Sequence, residues 1–355
     1  MNLSVQTPDE WLAALAKPSL ETVSQFVLLP DDWLVICAGF EDRALAVLQN
    51  AVSGQTSFNI LLVRYEPIFQ ENKLSAIREI SRRAGIRVTE AIYNRQEPAG
   101  FGSTMLEKLS ACRGRIFVDI SAMSRLLIVQ VLVALGTRSD GFANCFVAYA
   151  EASDYPPSQL DAESELAKSD SDASHSILFL SSGVFDVTIV PELSSFAPAG
   201  TQTRLISFPS LDAHQLTALR NELQPSRFSF IEGIPPSPRN KWRQQVIFSV
   251  NQLDKIPDTE RFQTSTLDYR ETLDCLLKLY SNHGERERLL VSPTGSKGQT
   301  VAVGIFRAQI KDVQIVYPTL WSYLKPDRYT LGIGPFHLLP LAQFSAAPSG
   351  YGRDA

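Results

Sequence analysis

The amino-acid sequence predicts an α/β fold made of two tandem units, each built around a mainly parallel sheet. Continuous apolar runs, typical of strands covered on both faces, alternate with segments of helical spacing along most of the chain. The alternation occurs twice, with an acidic segment between the copies, and the strands follow one another at similar spacings in both. Because repeated strand–helix–strand units form right-handed crossovers, we expect two Rossmann-like units.

Length and composition are those of a globular, soluble protein. The 355 residues are enough for two domains with separate cores, and a chain with 44% hydrophobic and 20% charged residues is not expected to be disordered. The formal net charge of −5 argues against an extended nucleic-acid surface, although it is compatible with a local basic pocket for a small anion.

Neither a membrane span nor a targeting segment is expected. The segment Met1 to Lys17 has no apolar signal core, and the longest apolar run, Leu126–Leu135, is about half of what a bilayer requires. Four cysteines without a C-x-x-C pair indicate buried, reduced thiols. Reduced thiols are typical of a cytoplasmic protein, and that location is expected here. Because the histidines do not cluster with the cysteines, no metal site is predicted.

The first unit starts with a leading helix at Asp9–Ala16. Trp33–Ala38 is a continuous apolar run and predicts a strand buried on both faces, and Gly85 is a suitable C-terminal stop for the helix before it. The other predicted strands are Asn59–Val63, Ile86–Tyr93, Ile116–Ile120 and Cys145–Tyr149, and the predicted helices are Arg43–Ala51, Asn72–Ala84, Met105–Ala111 and Leu126–Leu135.

The composition changes after the first unit. Glu151–Ser176 contains seven acidic residues and one lysine, which predicts a solvated, mobile loop. Ile177–Leu180 and Val184–Val190, on either side of a Ser-Ser-Gly turn, predict a β-hairpin. Phe196–Thr203 is interpreted as a second, shorter linker.

The second unit repeats the pattern of the first, which predicts an internal duplication. Its predicted strands are Arg204–Phe208, Phe228–Ile231, Phe262–Thr266, Arg288–Val291 and Val313–Tyr317, and its helices are Ala213–Leu223, Trp242–Gln252, Arg270–Tyr280 and Lys297–Arg307. We therefore predict a first domain at 1–150, an acidic linker and hairpin at 151–203, and a second domain at 204–355. The turn Asp119–Arg125 should correspond to Ser292–Lys297.

One turn of the second unit combines several features of an anion site. In an open parallel sheet, ligands bind beyond the carboxyl ends of the strands, where helix N-termini collect. After the strand that ends at Ser292, the chain offers hydroxyls at Thr294 and Ser296, close backbone approach at Gly295, and a cation at Lys297. A lysine at a helix start opposes the helix dipole unless it meets an anion, which favours phosphate or ribose binding. The alternative is a polar turn in which Ser296 only caps the helix.

The matching turn of the first unit runs from Asp119 to Arg125. Asp119 ends an apolar strand, where a carboxylate needs a partner, and Arg125 opens a very apolar helix. Ser121 and Ser124 add hydroxyl groups between them. A structural role remains the alternative, with Asp119 binding local amides and Ser124 acting as N-cap.

The turn after the first strand, Gly39 to Arg43, is the third candidate. It lies where Rossmann units contact dinucleotides, but the G-x-G-x-x-G pattern is missing, so a nicotinamide site is not expected. Glu41 and Asp42 are candidate catalytic acids and also ordinary partners of a helix dipole. The corresponding turn in the second unit, Pro209–Asp212, has no glycine.

Weaker candidates lie at other strand ends, where packing or loop roles are more common. They are Tyr65–Pro67, Tyr149–Glu151, Tyr155, Pro235–Arg243, Tyr317–Thr319 and Trp321–Tyr323. Aromatic residues there could stack on a base. The sequence contains no nucleophile elbow or H-E-x-x-H motif, and none of its four histidines lies beside a motif, which disfavours imidazole-based catalysis.

The strand followed by Thr294-Gly295-Ser296-Lys297 at a helix start resembles the T-G-G-T-K type turn of CRISPR-associated Rossmann-fold (CARF) domains and of related nucleotide-sensing modules in bacterial antiphage defence. Asp119–Arg125 occupies the matching place in the first half. In that family the turn after the fourth strand helps to bind a cyclic oligonucleotide, usually at a dimer interface. The resemblance covers this motif and the strand order, and it implies that Thr294, Gly295, Ser296 and Lys297 bind the ligand.

Three functions stay open at this point. The first is a nucleotide-binding sensor or regulator, which the resemblance would place in a bacterial defence system, with a homodimer or a defence partner protein as its assembly. The second is a hydrolase or transferase acting on a nucleotide, with Asp119, Glu41 or Asp42 as catalytic acid beside Lys297 and Arg125. The third is a scaffold subunit without a ligand. The sequence does not identify a cofactor.

Overall fold

The computed structural model describes residues 7–54, 57–68, 72–167, 181–322 and 329–345. The described strands are β1 (Glu21–Val23), β2 (Trp33–Cys37), β3 (Asn59–Glu66), β4 (Arg87–Asn94), β5 (Ile116–Asp119), β6 (Cys145–Ala150), β7 (Val184–Ile189), β8 (Gln202–Ser207), β9 (Arg227–Ile234), β10 (Thr259–Ser265), β11 (Glu287–Ser292), β12 (Gln314–Leu320) and β13 (Phe336–Pro340).

The α-helices connect these strands and cover both sheets. They are α1 (Pro8–Ala14), α2 (Ala46–Val52), α3 (Leu74–Arg83), α4 (Phe101–Ser110), α5 (Arg125–Thr137), α6 (Gln159–Ala167), α7 (Ala213–Leu223), α8 (Trp242–Val250), α9 (Tyr269–His283) and α10 (Lys297–Gln309). In the described part of the chain, no helix has the length and apolar character that a membrane crossing requires.

The two sheets have the same strand order, which confirms the predicted fold class. The first sheet contains β4, β3, β2, β5 and β6 in that order, and the second contains β10, β9, β8, β11 and β12. In both, the third strand of the unit is followed by the second, first, fourth and fifth, and all of these neighbours are parallel. This shared order is what an internal duplication predicts, and β5 with α5 then corresponds to β11 with α10.

Each sheet is extended by an antiparallel strand that comes from outside its own unit. β13 pairs with β6 in the first sheet, although its residues fall in the predicted second domain, and β7 of the predicted linker pairs with β12 in the second sheet. β1 pairs with the other side of β13 and forms the edge of the first sheet. The sheets therefore include strands from beyond the predicted domain bounds, which a division at single cut points does not capture. The predicted hairpin partner of β7, Ile177–Leu180, lies outside the described residues, and within them β7 pairs with β12 instead.

The predicted acidic loop contains a helix. The composition of Glu151–Ser176 predicts a solvated loop, but α6 occupies much of its described part. Ala162 is fully buried and packs with Leu211 and Val246 of the second half. A short buried face, which includes the carboxylate residue Glu165 as well as Ala162, was enough to dock this acidic helix. The predicted mobility of this segment stays a prediction.

The centre of the molecule is the contact between α5 and α10. Both helices are apolar and buried, and both belong to one continuous core shared by the two units. Gly304 of α10 faces Leu132 of α5, and Gly136 of α5 faces Ala308 of α10; a Cβ on either glycine would come within 2.9 Å of its neighbour's Cβ. Leu132 and Gly304 are separated by the same number of residues as Gly136 and Ala308. The two helices therefore run side by side in the same direction and in register.

Candidate functional site

The α5–α10 pair ends in a cavity of about 370 Å³ between the two units. The cavity lies beyond the carboxyl ends of the parallel strands in both sheets, where ligands of such folds bind. Because the two helices run in the same direction, both of their N-termini meet there. A helix N-terminus carries free amide groups and a positive partial charge, so two of them at one cavity favour an anion.

Both predicted capping serines are helix caps. Ser124 Oγ accepts a hydrogen bond from Leu127 N at 3.4 Å, and Ser296 Oγ accepts one from Gln299 N at 3.1 Å. Gln299 completes a capping box by accepting from Ser296 N. The structural alternative raised for these serines therefore holds. The same turns also line the cavity, so capping and exposure to a ligand occur together.

The first residues of the two helices make reciprocal contacts across the cavity. Lys297 Nζ donates to the carbonyl oxygen of Met123 at 2.6 Å, and Arg125 Nε donates to the carbonyl oxygen of Gly295. Each cation thus binds the turn that precedes the other helix, in the same relative position. Lys297 is directed into the first half and Arg125 into the second, and both line the cavity.

Lys297 has a strongly altered protonation equilibrium. Burial lowers the pKa of its ammonium group to about 7, against an attraction to Glu41 that raises it, and the charges of Arg43 and Arg125 lower it further. Protein atoms surround the side chain on most sides, and the cavity keeps part of it accessible. A cation that is this costly to bury is stabilised when an anion enters beside it.

The glycines of the two turns serve packing. A Cβ on Gly39 would lie 2.6 Å from the Cβ of Ala122, and one on Gly295 would lie 2.9 Å from the Cβ of Phe208. In each unit the turn after the first strand thus touches the turn after the fourth. Thr294 supports the same contact, because its buried Oγ1 donates to Phe208 O at 2.8 Å. Gly39, Thr294 and Gly295 all line the cavity as well.

Glu41 and Arg43 form a buried ion pair at the first-unit side of the cavity. Arg43 Nη2 lies 2.7 Å from Glu41 Oε2, which also accepts a hydrogen bond from Thr330 Oγ1 at 2.6 Å. Arg43 Nη1 donates to the hydroxyl of Tyr149 at 3.0 Å. Burial raises the pKa of Glu41, but Arg43 and Lys297 outweigh it, so the pKa is lowered and the carboxylate is charged.

The remaining predicted residues lie outside the cavity lining. Asp119 is buried and accepts a hydrogen bond from Ser121 N at 2.9 Å, and burial raises its pKa to about 6. Ser121 is fully buried and its Oγ accepts from Ala150 N at 2.8 Å. Asp42 is exposed at the start of a short 3-10 helix. The structure therefore brings the other candidate residues of the three turns to the cavity and leaves these three beside it. Of the weaker candidates, Tyr65, Tyr149, Tyr155 and Tyr317 line the cavity, Pro67 and Trp321 do not, and Tyr323 lies outside the described residues.

Several lining residues were not singled out by the sequence. Arg95 follows β4 directly, so the rule that ligands bind beyond strand ends could have identified it. Gln215, Tyr329 and Thr330 also line the cavity, and no local pattern marks them. Among the described residues, the charged groups of the lining are the cations Arg43, Arg95, Arg125, Arg243 and Lys297 and the carboxylates Glu41 and Glu151.

The lining is cationic and rich in tyrosine. Five cations face two carboxylates among the described residues, and each carboxylate already has a basic partner, since Glu151 Oε2 lies 3.1 Å from His337 Nε2. Tyrosines of both units contribute rings, namely Tyr65, Tyr149, Tyr155, Tyr317 and Tyr329. In the described part of the chain, no group of three or more histidine, cysteine, aspartate or glutamate residues could hold a metal ion.

Comparison with known proteins identifies no family. No family model matches the sequence, and no curated protein matches it. Solved structures with some likeness include the cytoplasmic domain of a prokaryotic cation chloride cotransporter, at 11% identity over 82% of this chain and 95% of that chain, with a TM-score of 0.24. Phosphoethanolamine N-methyltransferase 1 of Haemonchus contortus, bound to phosphoethanolamine and S-adenosylhomocysteine, matches at 9% identity over 76% and 71%, with a TM-score of 0.21.

An isoflavone reductase matches at 10% identity over 84% of this chain and 98% of that chain, again with a TM-score of 0.24. Identities and scores at this level identify no shared activity or ligand. The functional proposal therefore depends on the geometry of the cavity.

Proposed function

We propose that this protein is a nucleotide-binding sensor or regulatory protein that holds a phosphate-bearing ligand in the cavity between its two Rossmann-like units. The observation that carries the proposal is the meeting of two helix N-termini, each starting with a cation, at one cationic cavity. Such an arrangement concentrates positive charge, since among the described residues the lining has five cations and only two carboxylates. A phosphate group placed between Lys297 and Arg125 would supply the missing negative charge.

The rest of the lining supports a nucleoside attached to that phosphate. Tyrosine rings stack on bases of any identity, and five tyrosines contribute to the described lining. Arginine side chains offer further bonds to phosphate oxygens, and the cavity volume is in the range of small-molecule sites, roughly 300–1,000 Å³. A nucleotide uses both the tyrosine rings and the arginines, whereas inorganic phosphate uses only the arginines.

The arrangement of acidic groups favours binding over catalysis. Of the three candidate catalytic acids, only Glu41 lines the cavity, and it is engaged by Arg43 and Thr330. Asp119 has a raised pKa, as a general acid needs, but its carboxylate binds the backbone of its own turn. A hydrolase or transferase remains the second candidate, and turnover of a bound nucleotide would establish it.

The assignment to bacterial antiphage defence is part of the proposal. It is supported by the resemblance of the turn Thr294–Lys297 to the ligand-binding turn of CARF domains. The cavity between α5 and α10 joins two units within one chain, so a single chain can supply what two subunits supply in a dimer. In this proposal the protein transmits ligand binding to a partner protein through the units on either side of the cavity.

The test is a search for a ligand on the purified full-length protein. Small molecules released by denaturation are identified by mass spectrometry, and the melting temperature is measured with ribonucleotides, cyclic dinucleotides and inorganic phosphate. We expect a nucleotide to raise the melting temperature at concentrations where inorganic phosphate does not, without being consumed. Consumption would identify an enzyme. A protein that responds to none of the nucleotides would contradict the proposal.

A further inference from the structure

The cavity has equivalent parts in its two halves. Ser124 and Ser296 cap the central helices, and Arg125 and Lys297 are their first residues. Tyr149 on β6 and Tyr317 on β12, the fifth parallel strands of the two units, both line the cavity. A ligand with two identical halves would suit such a frame if the surrounding residues were also equivalent.

The surrounding residues are not equivalent. The turn after the first strand places Glu41 and Arg43 at the cavity in the first unit, but Pro209, Ser210 and Leu211 in the second. The counterpart acid, Asp212, lies outside the lining and accepts a hydrogen bond from Ser181 Oγ at 2.5 Å. Both carboxylates of the described lining therefore belong to the first half, and the second half offers a neutral turn where the first offers an ion pair.

The second strands differ in the same way. Tyr65 at the end of β3 lines the first half of the cavity, and its hydroxyl accepts a hydrogen bond from Ser124 N at 2.6 Å. In the second half β9 places Gly233 at the cavity, and the chain continues into Pro235 and Pro236. Among the described residues, the second half thus offers the cavity no carboxylate. Its cation Arg243 already donates to the carbonyl oxygens of Tyr155 and Pro157, and the flank at Leu211 and Pro235 is neutral.

Glu41 has an acceptor atom to offer. Within the described residues, its hydrogen bonds from Arg43 and Thr330 all end on Oε2. Lys297 reaches the carbonyl oxygen of Met123 in the first half, and Glu41 lines that same half of the cavity. A donor on the ligand that reaches Oε1 therefore lies on the same side of the cavity as the group that binds Lys297. In a nucleotide the hydroxyls of the ribose are close to the phosphate, and the base is farther away.

From this asymmetry, and resting on the proposed function, we propose that the ligand is an asymmetric, linear nucleoside phosphate bound in a single orientation. Its phosphate lies between Lys297 and Arg125, its ribose hydroxyls donate to Glu41, and its base lies toward the neutral flank at Leu211 and Pro235. A symmetric cyclic dinucleotide would place a second ribose against that flank, where the described residues offer no carboxylate to receive it.

The test combines changes in the ligand with changes in the protein. Calorimetric titration of the full-length chain uses adenosine, guanosine, cytidine and uridine 5′-mono- and diphosphates, the 2′,3′-dideoxy analogue of each, and the corresponding 3′,5′-cyclic dinucleotides. The variants are Glu41→Gln and the matched control Glu151→Gln, whose carboxylate lines the cavity beside His337. Circular dichroism checks that each variant is folded.

We expect the best linear ribonucleotide to lose roughly tenfold or more in affinity when its hydroxyls are removed, since a hydrogen bond to a charged group is lost. In Glu41→Gln the ribonucleotide and its dideoxy analogue should bind almost equally, while Glu151→Gln keeps the difference. Because the comparison is made within each variant, any shift of Arg43 affects both ligands alike and cancels.

Two results overturn the inference while leaving nucleotide binding intact. The first is equal affinity of the wild-type protein for a ribonucleotide and its dideoxy analogue, and the second is tighter binding of a cyclic dinucleotide than of any linear one. If no nucleotide binds at all, the proposed function fails together with the inference.

Discussion

Lys297 shows how one side chain can serve both the fold and a ligand. Its ammonium group binds the carbonyl oxygen of Met123, which links the two halves of the cavity. Burial makes the charged form costly and lowers its pKa to about 7. An entering phosphate would stabilise that charge, so the energetic contribution of Lys297 should be larger in the complex than in the free protein.

Replacing the side chain should therefore affect binding more than folding. For Lys297→Ala we expect nucleotide affinity to fall roughly ten- to a hundredfold, from the loss of one hydrogen bond to a charged group, about 1.5–3 kcal/mol. The free energy of unfolding should change by less than about 1 kcal/mol, because the variant loses one hydrogen bond together with a poorly solvated charge. Calorimetric titration and urea unfolding measure the two effects. Lys311→Ala, at an exposed lysine of the same unit, is the control and should change neither.

The same residue should make binding depend on pH. Burial lowers the pKa of Lys297 to about 7, so the side chain loses its proton as the pH rises above that value. An anion binds the protonated form, and affinity should therefore fall between about pH 7 and 9, with uptake of a proton on binding. Lys297→Arg keeps its charge throughout this range, so its affinity should be nearly constant. Equal pH profiles for the two proteins would show that Lys297 does not contact the ligand.

At the scale of elements, the pair α5 and α10 decides where the cavity lies. The two helices approach closely because Gly136 and Gly304 leave room for side chains of the neighbouring helix. A closely packed pair keeps both N-termini at the same level, which brings Lys297 and Arg125 within reach of the opposite turns. The packing thus positions the charges that the proposed ligand needs.

Filling the space at this contact should damage stability and binding together. In Gly304→Leu the new side chain meets Leu132, and overpacking in such a core costs about 1–3 kcal/mol of unfolding free energy. Leu132→Ala alone should also destabilise the protein, because it leaves a cavity. The double variant should lose less unfolding free energy than the sum of the two single losses, since the smaller residue at 132 makes room for the larger one at 304. Additive effects in urea unfolding would show that the helices can move apart without loss.

Over the whole molecule, two Rossmann-like units form a pseudo-dimer within one chain. They share a continuous core, and each sheet includes an antiparallel strand from outside its own unit. The cavity takes its lining from both units. Both sides of the described lining are therefore supplied by one chain.

This architecture predicts the binding stoichiometry. We expect one nucleotide to bind per chain. Calorimetric titration measures this ratio, and light scattering at the same protein concentration measures the oligomeric state. The affinity should be the same in dilute solution, where any dimer has dissociated, because both helix N-termini belong to the same chain. One nucleotide per two chains would instead indicate that a second copy completes the site.

The local sequence was sufficient for the fold class and for most strand-to-helix turns. Apolar runs marked the buried parallel strands, and the polar turns at Ser124 and Ser296 are the helix caps that their residue types predict. Strand apolarity and helix capping depend on neighbours in the chain, which is why local patterns reveal them. α4 begins at Phe101 rather than at the predicted Met105, and there the carboxylate of Glu192, distant in the chain, accepts hydrogen bonds from Gly100 N and Gly102 N.

Tertiary structure alone decided which of these turns meet. Nothing near Thr330 indicates that it donates to Glu41, and nothing near β13 indicates that its partner is β6. The apolar spacing of α6 was too short to distinguish from a loop until Leu211 and Val246 covered it. The sequence thus determined the two units and their candidate turns. The packing of α5 against α10 made those turns one cavity, because contacts between residues far apart in the chain leave no periodic trace in either segment.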